Sequence, residues 1–397
     1  MSSNSRRTFL KHLSLGAGFT GASGFAFAAE EKIQGFDQTA TTTQAEKVWT
    51  QKSDRKVRFG IVGFGVCRFG AAFGFQDHPN VEIVAVSDLI PERCQGLAEA
   101  CRCAKTYPSL EEMLKDDTIE AIFIATDAPS HARHCIEVMK HGKHVCCAVP
   151  ATFGNLEEAE ELYKTVKETG LNYQMMETSS FHDDLYAMRL LFQAGDFGRM
   201  IYTEGEYFHY MAEPLDSYKG WRIGLPPQFY PTHSNAYHVC VTGESFTEVS
   251  CMGIPSSVEH LKPENNIYKN PFGTEVALFR TSGGGMSRMT VSWDTPGYGG
   301  EMGRVRGDKG SLYNGEFQGL PDVKGMELRK PPLPPNVDPG GHGGSHGYLM
   351  DEFVYSIIEK RLPLVNINWA LNMTVAGIVA HQSAMKDGEL LKIPQFA

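Results

Sequence analysis

The chain has 397 residues, more than one ordinary domain of roughly 100–200 residues holds, so two domains with appendages are predicted. A hydrophobic share of 42% with 21% charged residues is globular composition and excludes a disordered, collagen-like or disulfide-scaffold chain. The net charge of −10, with no basic stripe carrying interleaved aromatics, excludes a nucleic-acid partner and leaves a neutral small molecule.

Taken in chain order, the first element is an address. Ser5-Arg6-Arg7-Thr8-Phe9-Leu10-Lys11 is a twin-arginine pattern, followed by a weakly apolar stretch from Leu13 that ends in Ala26-Phe27-Ala28, a small-residue cleavage site. The expectation is a signal peptide over 1–29, a twin-arginine export machinery as partner, and a periplasmic or otherwise exported protein. No segment reaches the about 20 apolar residues of a spanning helix, so no stable membrane insertion is expected. Residues 30–55 are polar and read as a linker.

From Val57 the texture changes. Short apolar runs at 57–63, 81–87, 121–125 and 144–148 read as buried strands. Helical stretches at 91–102, 109–115, 130–141 and 156–169 alternate with them, which predicts an α/β fold with a doubly wound parallel sheet, a Rossmann domain over 56–180. Asp183-Asp184 read as the cap of a following helix. Residues 181–397 form the second domain, strand-rich at 200–211, 246–254, 275–281 and 285–293, with a further strand within 303–313. The proline-rich 330–339 suits neither a helix nor a central strand. A Gly/His loop (340–347) and two helices near 348–360 and 368–386 close the chain. The nine cysteines are odd in number and lack paired zinc-like spacing, so most read as small buried hydrophobes.

Gly63-Phe64-Gly65-Val66-Cys67-Arg68 follows the first strand. Gly63 allows the tight turn, Gly65 lets the backbone approach a pyrophosphate, and the next helix offers unpaired N–H groups to the anion. The third glycine of the fingerprint is missing: Arg68 takes its place, and Gly70 follows two further on. Asp88 stands at the end of the second strand, about 20 residues on, where a carboxylate binds the ribose hydroxyls of NAD and repels the extra phosphate of NADP. NAD is therefore the expected cofactor and NADP the less favoured one, with Arg68 or Arg93 available to a phosphate.

This arrangement resembles the Gfo/Idh/MocA superfamily over roughly residues 56–390. The resemblance implies a Rossmann domain followed by an α/β domain whose large, open, mainly antiparallel sheet carries the substrate site and packs between subunits, hence a homo-oligomer. It places Thr126, Asp127 and His131 after the third strand near the cofactor. The dehydrogenases of the superfamily carry Glu-Lys-Pro after the fourth strand, where this chain has Ala148-Val149-Pro150; the proton-relaying lysine is gone. That departure is similar to the NAD-dependent α-N-acetylgalactosaminidases of glycoside hydrolase family 109. Met175-Met176-Glu177-Thr178, Tyr207-Phe208-His209, Trp221-Arg222, Tyr230-Pro231-Thr232-His233, Asp294-Thr295-Pro296-x-Tyr298 and Gly340-Gly341-His342-Gly343-Gly344 also resemble that branch.

By that resemblance Arg222, Tyr230, Tyr298 and His342 contact a sugar, while Gly63, Gly65, Val66, Cys67, Arg68, Asp88, Ala148, Val149 and Glu177 lie at the cofactor. Tyr207, His209 and His233 become the candidate catalytic groups: histidine titrates near neutrality, and a tyrosine near NAD⁺ can have its pKa lowered. Three departures, Thr178 for asparagine, Ala148 for glutamate and a shorter segment from Tyr207 to Trp221, keep the N-acetylgalactosamine specificity from being carried over. The implied chemistry is glycoside hydrolysis through transient oxidation of the sugar, elimination, water addition and re-reduction. An exported enzyme has no cytosolic pool to reset its cofactor, which favours such a closed cycle. A sugar oxidoreductase and a non-catalytic sugar-binding relative are the alternatives. No metal is expected, because His342 and His346 have no carboxylate or cysteine near them in sequence.

Overall fold

The computed structural model describes residues 48–320 and 330–396. The expected signal peptide (1–29) and residues 30–47 of the expected linker lie outside the described residues. The first layer comprises β1 (Val57–Val62), α1 (Phe69–Ala72), β2 (Val81–Ser87), α2 (Pro91–Ala100), β3 (Thr106–Tyr107), α3 (Leu110–Leu114), β4 (Ala121–Ile124), α4 (His131–Lys140), β5 (His144–Cys147), α5 (Leu156–Thr169) and β6 (Tyr173–Met175). These strands form one parallel sheet in the order β3-β2-β1-β4-β5-β6. Every residue of β4 is buried, as expected of a parallel strand covered by helices on both faces. The order turns back between β1 and β4, which opens a crevice at the carboxyl ends of the strands.

Local sequence explains the boundaries. The Asn155 side chain accepts from the Glu158 N–H and caps α5, and Gly170, at φ 62°, ends it in the left-handed region. Pro91 opens α2 at its first position. Asp183-Asp184 do not cap the following helix: the cap position is His182, and both aspartates lie in the first turn of α6 (Asp183–Gln193), where their charge favours the helix N-terminus.

The second layer is built from β7 (Met200–Phe208), α7 (Thr232–Thr242), β8 (Phe246–Pro255), β9 (Phe272–Thr281), β10 (Met286–Ser292), β11 (Gly300–Gly307), β12 (Gly310–Tyr313), β13 (Glu316–Gly319), the single turn α8 (Gly341–Gly344), α9 (His346–Ile358), α10 (Ile367–Ala384) and β14 (Leu391–Lys392). Its eight strands run β13-β12-β11-β7-β10-β9-β8-β14. Only the β7–β10 pairing is parallel, so the sheet is mainly antiparallel and the α/β class stands. The single strand expected within 303–313 is instead the β11–β12 hairpin, turned at Asp308-Lys309.

Alternation decides what each face carries. Gly205 of β7 faces α7 so closely that a Cβ would stand 2.0 Å from the Ser234 carbonyl oxygen, and Thr203 on the same face meets His238. Tyr207 is two residues further along, with Glu301 opposite it across the β7–β11 ladder. The outer face leaves Met252, Ile254, Leu278 and Met302 exposed. Helix α9 returns to the first sheet: Phe353 packs on Phe59 with ring centroids 6.0 Å apart, and Gln174 of β6 donates to the Leu349 carbonyl at 2.9 Å.

Replacing Gly205 by alanine pushes a methyl group into backbone with nowhere to move. We expect a loss of about 1–3 kcal/mol, read as a lower urea midpoint at unchanged m-value.

Candidate functional site

A cleft with about 1100 Å³ of empty space, including its open mouth, lies at the carboxyl ends of β1, β2, β4 and β5. Gly63, at φ 104°, begins the loop after β1, and a Cβ there would stand 2.3 Å from the Ala125 carbonyl oxygen, so only glycine fits. A Cβ on Gly65 would meet nothing within 4 Å, which leaves the loop open where a pyrophosphate must come close to the backbone. The fingerprint's third glycine is not missing but displaced. A Cβ on Gly70 would stand 2.4 Å from the Gly63 carbonyl oxygen, so Gly70 permits the close helix packing, and the longer loop turns at left-handed Arg68 (φ 51°). Val66 and Cys67 stand exposed on the lip of this loop; the other eight cysteines are buried and all nine are unpaired.

Asp88 accepts hydrogen bonds from the backbone N–H of Phe64 at 2.7 Å and of Ile90 at 2.9 Å. Its carboxylate thus fixes the glycine turn from the end of β2 while lining the cleft. Beside it, the buried Ser87 hydroxyl lines the cleft and, among the described residues, has no hydrogen-bond partner. An open glycine, a strand-end carboxylate and an orphaned hydroxyl together fit a dinucleotide.

At the other end of the cleft, Thr126, Asp127, Ala148 and Val149 are brought together as expected. The Thr126 hydroxyl lies 3.0 Å from His134 Nδ1, and Asp127 accepts from the Ser130 hydroxyl at 2.8 Å. His131 lines the cleft, yet its Nδ1 is 2.9 Å from the Pro150 carbonyl and its Nε2 3.1 Å from that of Thr126. Burial lowers its pKa, and with a main-chain carbonyl beside each nitrogen, one of them taking the N–H of the neutral ring, His131 braces the β4 and β5 loops instead of presenting a ring nitrogen to the cofactor. The second domain covers the cleft with Asp216, Ser217, Tyr218, Trp221, Arg222 and Tyr230. Arg222 stacks on Trp221 at 4.2 Å and lies 5.9 Å from the Tyr230 ring, so both residues expected at the sugar line the same cleft as Ala148 and Val149.

Behind Tyr230 lies a group of proton-handling side chains. The Tyr207 hydroxyl is 3.1 Å from His209 Nδ1, and the Tyr207 ring meets the His233 ring edge-on at 4.7 Å. His233 Nδ1 is 2.8 Å from Glu177 Oε1 and 3.7 Å from Glu301 Oε1. The Ser179 N–H donates to Glu177 at 2.9 Å and its hydroxyl to Glu301 at 2.5 Å. Burial pulls the His233 imidazolium down, but the two carboxylates outweigh it and raise its pKa to about 9. His209 goes the other way, lowered by burial and by the charges of Arg222 and His233. Burial pushes the Tyr207 phenol well above its usual range in the nucleotide-free protein, where its hydroxyl hydrogen-bonds His209.

Several expected placements are corrected. Glu177, fully buried, follows β6 and pairs with His233 instead of lining the cleft. Tyr298 is 100% exposed, carried away from the cleft by the loop of Gly297, Gly299 and Gly300. His342 is exposed and lies outside the cleft: its Nδ1 is 2.9 Å from His346 Nε2 and its ring packs on Phe69 of α1. The Gly/His segment is thus docked on the dinucleotide-loop helix. Glu301, Ser179 and His182 escaped sequence reading. Alternation through Gly303 and Val305 would have put Glu301 on the inner face, had glycines not hidden the start of β11.

Among the described residues, Glu177, His233 and Glu301 form the one group whose donor atoms, within 4.8 Å of one another, are placed as a metal ion requires. The 2.8 Å separation of Nδ1 and Oε1 is that of a charge-assisted hydrogen bond, whose proton does the neutralising. Because the folded pKa of His233 exceeds the free value of about 6.5, the pair's stabilisation is complete below that pH. It is lost as pH rises through about 9, which urea denaturation across that window will register. Replacing Asp88 by alanine removes a charged acceptor at the ribose position, a loss of about 1.5–3 kcal/mol, so calorimetry should find NAD binding weakened about 10- to 100-fold.

Residues 57–177 match the family model described as "Oxidoreductase family, NAD-binding Rossmann fold". The chain is 32% identical over 179 residues to glycosyl hydrolase family 109 protein 1 of Bacteroides fragilis, covering 42% of this chain and 38% of the relative. It is 30% identical over 244 residues to glycosyl hydrolase family 109 protein 3 of Phocaeicola vulgatus, covering 54% and 44%. The chain therefore spans less than half the length of these curated relatives. Among solved structures it is similar to levoglucosan dehydrogenase in complex with NADH and levoglucosan, with a TM-score of 0.68 at 16% identity over 86% of this chain and 100% of that one. That likeness establishes the fold. Together with the glycine turn and Asp88, the match marks residues 57–177 as similar to the NAD-binding Rossmann fold of that oxidoreductase family.

Proposed function

We propose that this chain is an exported, NAD-retaining carbohydrate enzyme that hydrolyses a glycoside through transient oxidation of the sugar. The observation that carries the reading is the chemistry at the nicotinamide end of the cleft. Ala148-Val149 stands where a dehydrogenase of the family carries its lysine, while Arg222, Tyr230, Tyr207, His209 and His233 gather nearby. Similarity to glycosyl hydrolase family 109 proteins supports it.

NAD, when bound, accepts a hydride from a ring carbon and later returns it. The chain's own residues handle binding and protons. Arg222, held flat on Trp221, offers a fixed fork of donors to sugar hydroxyls. Once a ring carbon has become a ketone, the neighbouring C–H is acidified. His209, kept neutral by its surroundings, takes that proton as the ring C=C bond forms and the glycosidic C–O bond breaks. The departing oxygen takes a proton from His233. Water then adds to the enone, its oxygen bonding the anomeric carbon and its spare proton restoring His233, while His209 returns its proton to the neighbouring carbon. The hydroxyl proton given up to water as the ketone formed comes back with the hydride, so the net change is hydrolysis. Tyr207, between the two imidazoles, holds His209 Nδ1 and so fixes which nitrogen faces the sugar. The exposed Met252, Ile254, Leu278 and Met302 on the outer sheet face support self-association through that face.

The test is release of nucleotide by denaturing the purified protein, followed by a panel of p-nitrophenyl glycosides without added NAD. We expect tightly bound NAD and steady p-nitrophenol release with no build-up of reduced nicotinamide absorbance. Accumulating NADH with a free sugar would establish an oxidoreductase instead. A protein that is empty and remains inert with NAD supplied would reduce it to a sugar binder. Positioned acid–base groups contribute about 10²–10⁴-fold, so His209→Gln should lower kcat by that order while nucleotide content stays constant.

A further inference from the structure

Two carboxylates, not one, address the same ring nitrogen of His233. Glu177 Oε1 approaches Nδ1 at 2.8 Å from the segment after β6, and Glu301 Oε1 approaches it at 3.7 Å from β11. Ser179 sets their spacing, binding Glu177 through its N–H and Glu301 through its hydroxyl. Among the described residues Nε2 of His233 has no hydrogen-bond partner, so the nitrogen opposite the carboxylates is the one free to act.

We propose that Glu301 is a positioning residue that, opposite Glu177, completes a carboxylate clamp on His233 Nδ1 and keeps this imidazole a proton donor at neutral pH. One carboxylate suffices to orient a histidine. A second within 4 Å in a buried site adds an attraction that only the charged ring satisfies, since opposite charges within about 4–6 Å favour the ionised form. The other groups facing His233 do not compete. Tyr207 and Tyr230 present rings at 4.7 and 5.7 Å, and the Thr178 hydroxyl lies 3.4 Å from the same Nδ1. Arg222, His209 and His342 act only at longer range. His182 Nε2 is 3.4 Å from Glu301 Oε2 and 2.9 Å from the His342 carbonyl, so it holds the far side of the Glu301 carboxylate. Among the described residues His209 has no carboxylate partner of this kind. The two imidazoles beside Tyr207 are thereby set to opposite tasks, one to give a proton and one to take it.

This assignment rests on the proposed hydrolytic reading for the use of the proton, but the clamp itself is testable without turnover. In full-length protein labelled with nitrogen-15 histidine, long-range proton–nitrogen spectra report each ring's protonation, and His233→Gln identifies the His233 signals. Wild type should show His233 doubly protonated at neutral pH. Glu301→Gln should lower its titration midpoint by about 1–3 pH units, a ten- to thousandfold loss of proton affinity, and Glu301→Asp should recover part of it. If Glu301→Gln does not fold, Ser179→Ala, which frees the Glu301 carboxylate, should shift the midpoint in the same direction. A His233 that is neutral at pH 7 in wild type, or whose midpoint is unmoved by these changes, overturns the proposal. A shifted midpoint without p-nitrophenyl glycoside cleavage upholds the clamp while the hydrolytic reading fails.

Discussion

A carboxylate with no exposure to solvent cannot stay ionised unless a cation or several donors meet it. Glu177 is such a group, and it sits where the parallel sheet ends and the chain crosses to the second domain. The cation it finds is His233, at the first turn of α7. That requirement fixes the position of α7, and α7 in turn demands Gly205 beneath it and orders the inner face of the antiparallel sheet. The contact between the two layers therefore has an ion pair within it, with the Tyr207 and Tyr230 rings against His233 and Trp293 behind Tyr207, and their low polarity strengthens its attraction.

The site divides its work by distance. The dinucleotide loop and Asp88 belong to the first sheet, whereas Tyr207, His233 and Glu301 belong to β7, α7 and β11, with His209 following β7. Arg222 and Tyr230 join them by lining the same cleft as Ala148 and Val149. The docked Gly/His segment supplies a second bridge: His346 stacks on Phe73 at 4.2 Å and lies 3.1 Å from the Ala72 carbonyl, while the His342 carbonyl receives His182 beside Glu301. The helix beneath the dinucleotide loop and the clamped imidazole thus share one continuous set of contacts.

The parallel half was legible because its physics is local. Runs such as Ala121–Ile124, buried on both faces, announce themselves in sequence, and α5 carries its own cap and stop. The edge strands β3 and β6, two and three residues long, carry too little pattern to be seen. In the second domain, strand content was readable but register was not: the glycines at 297, 299, 300 and 303 obscure where β11 begins, which concealed Glu301. Gly70 was visible in the sequence but its packing role was not, because that role depends on space above the Gly63 carbonyl, a property of the folded loop. Tyr298 and His342 were placed by likeness to other chains, which says nothing about where a glycine-rich connection carries its side chains.

Asp88 performs two duties with one carboxylate. Its oxygens tie the Phe64 and Ile90 amides while the side chain lines the cleft, where the resemblance puts the ribose. Nucleotide choice and loop architecture are consequently inseparable at this position: a redesign toward a phosphorylated adenosine cannot simply delete the charge. It must also furnish substitute acceptors for two main-chain amides, or the entrance to the crevice will slacken along with its selectivity.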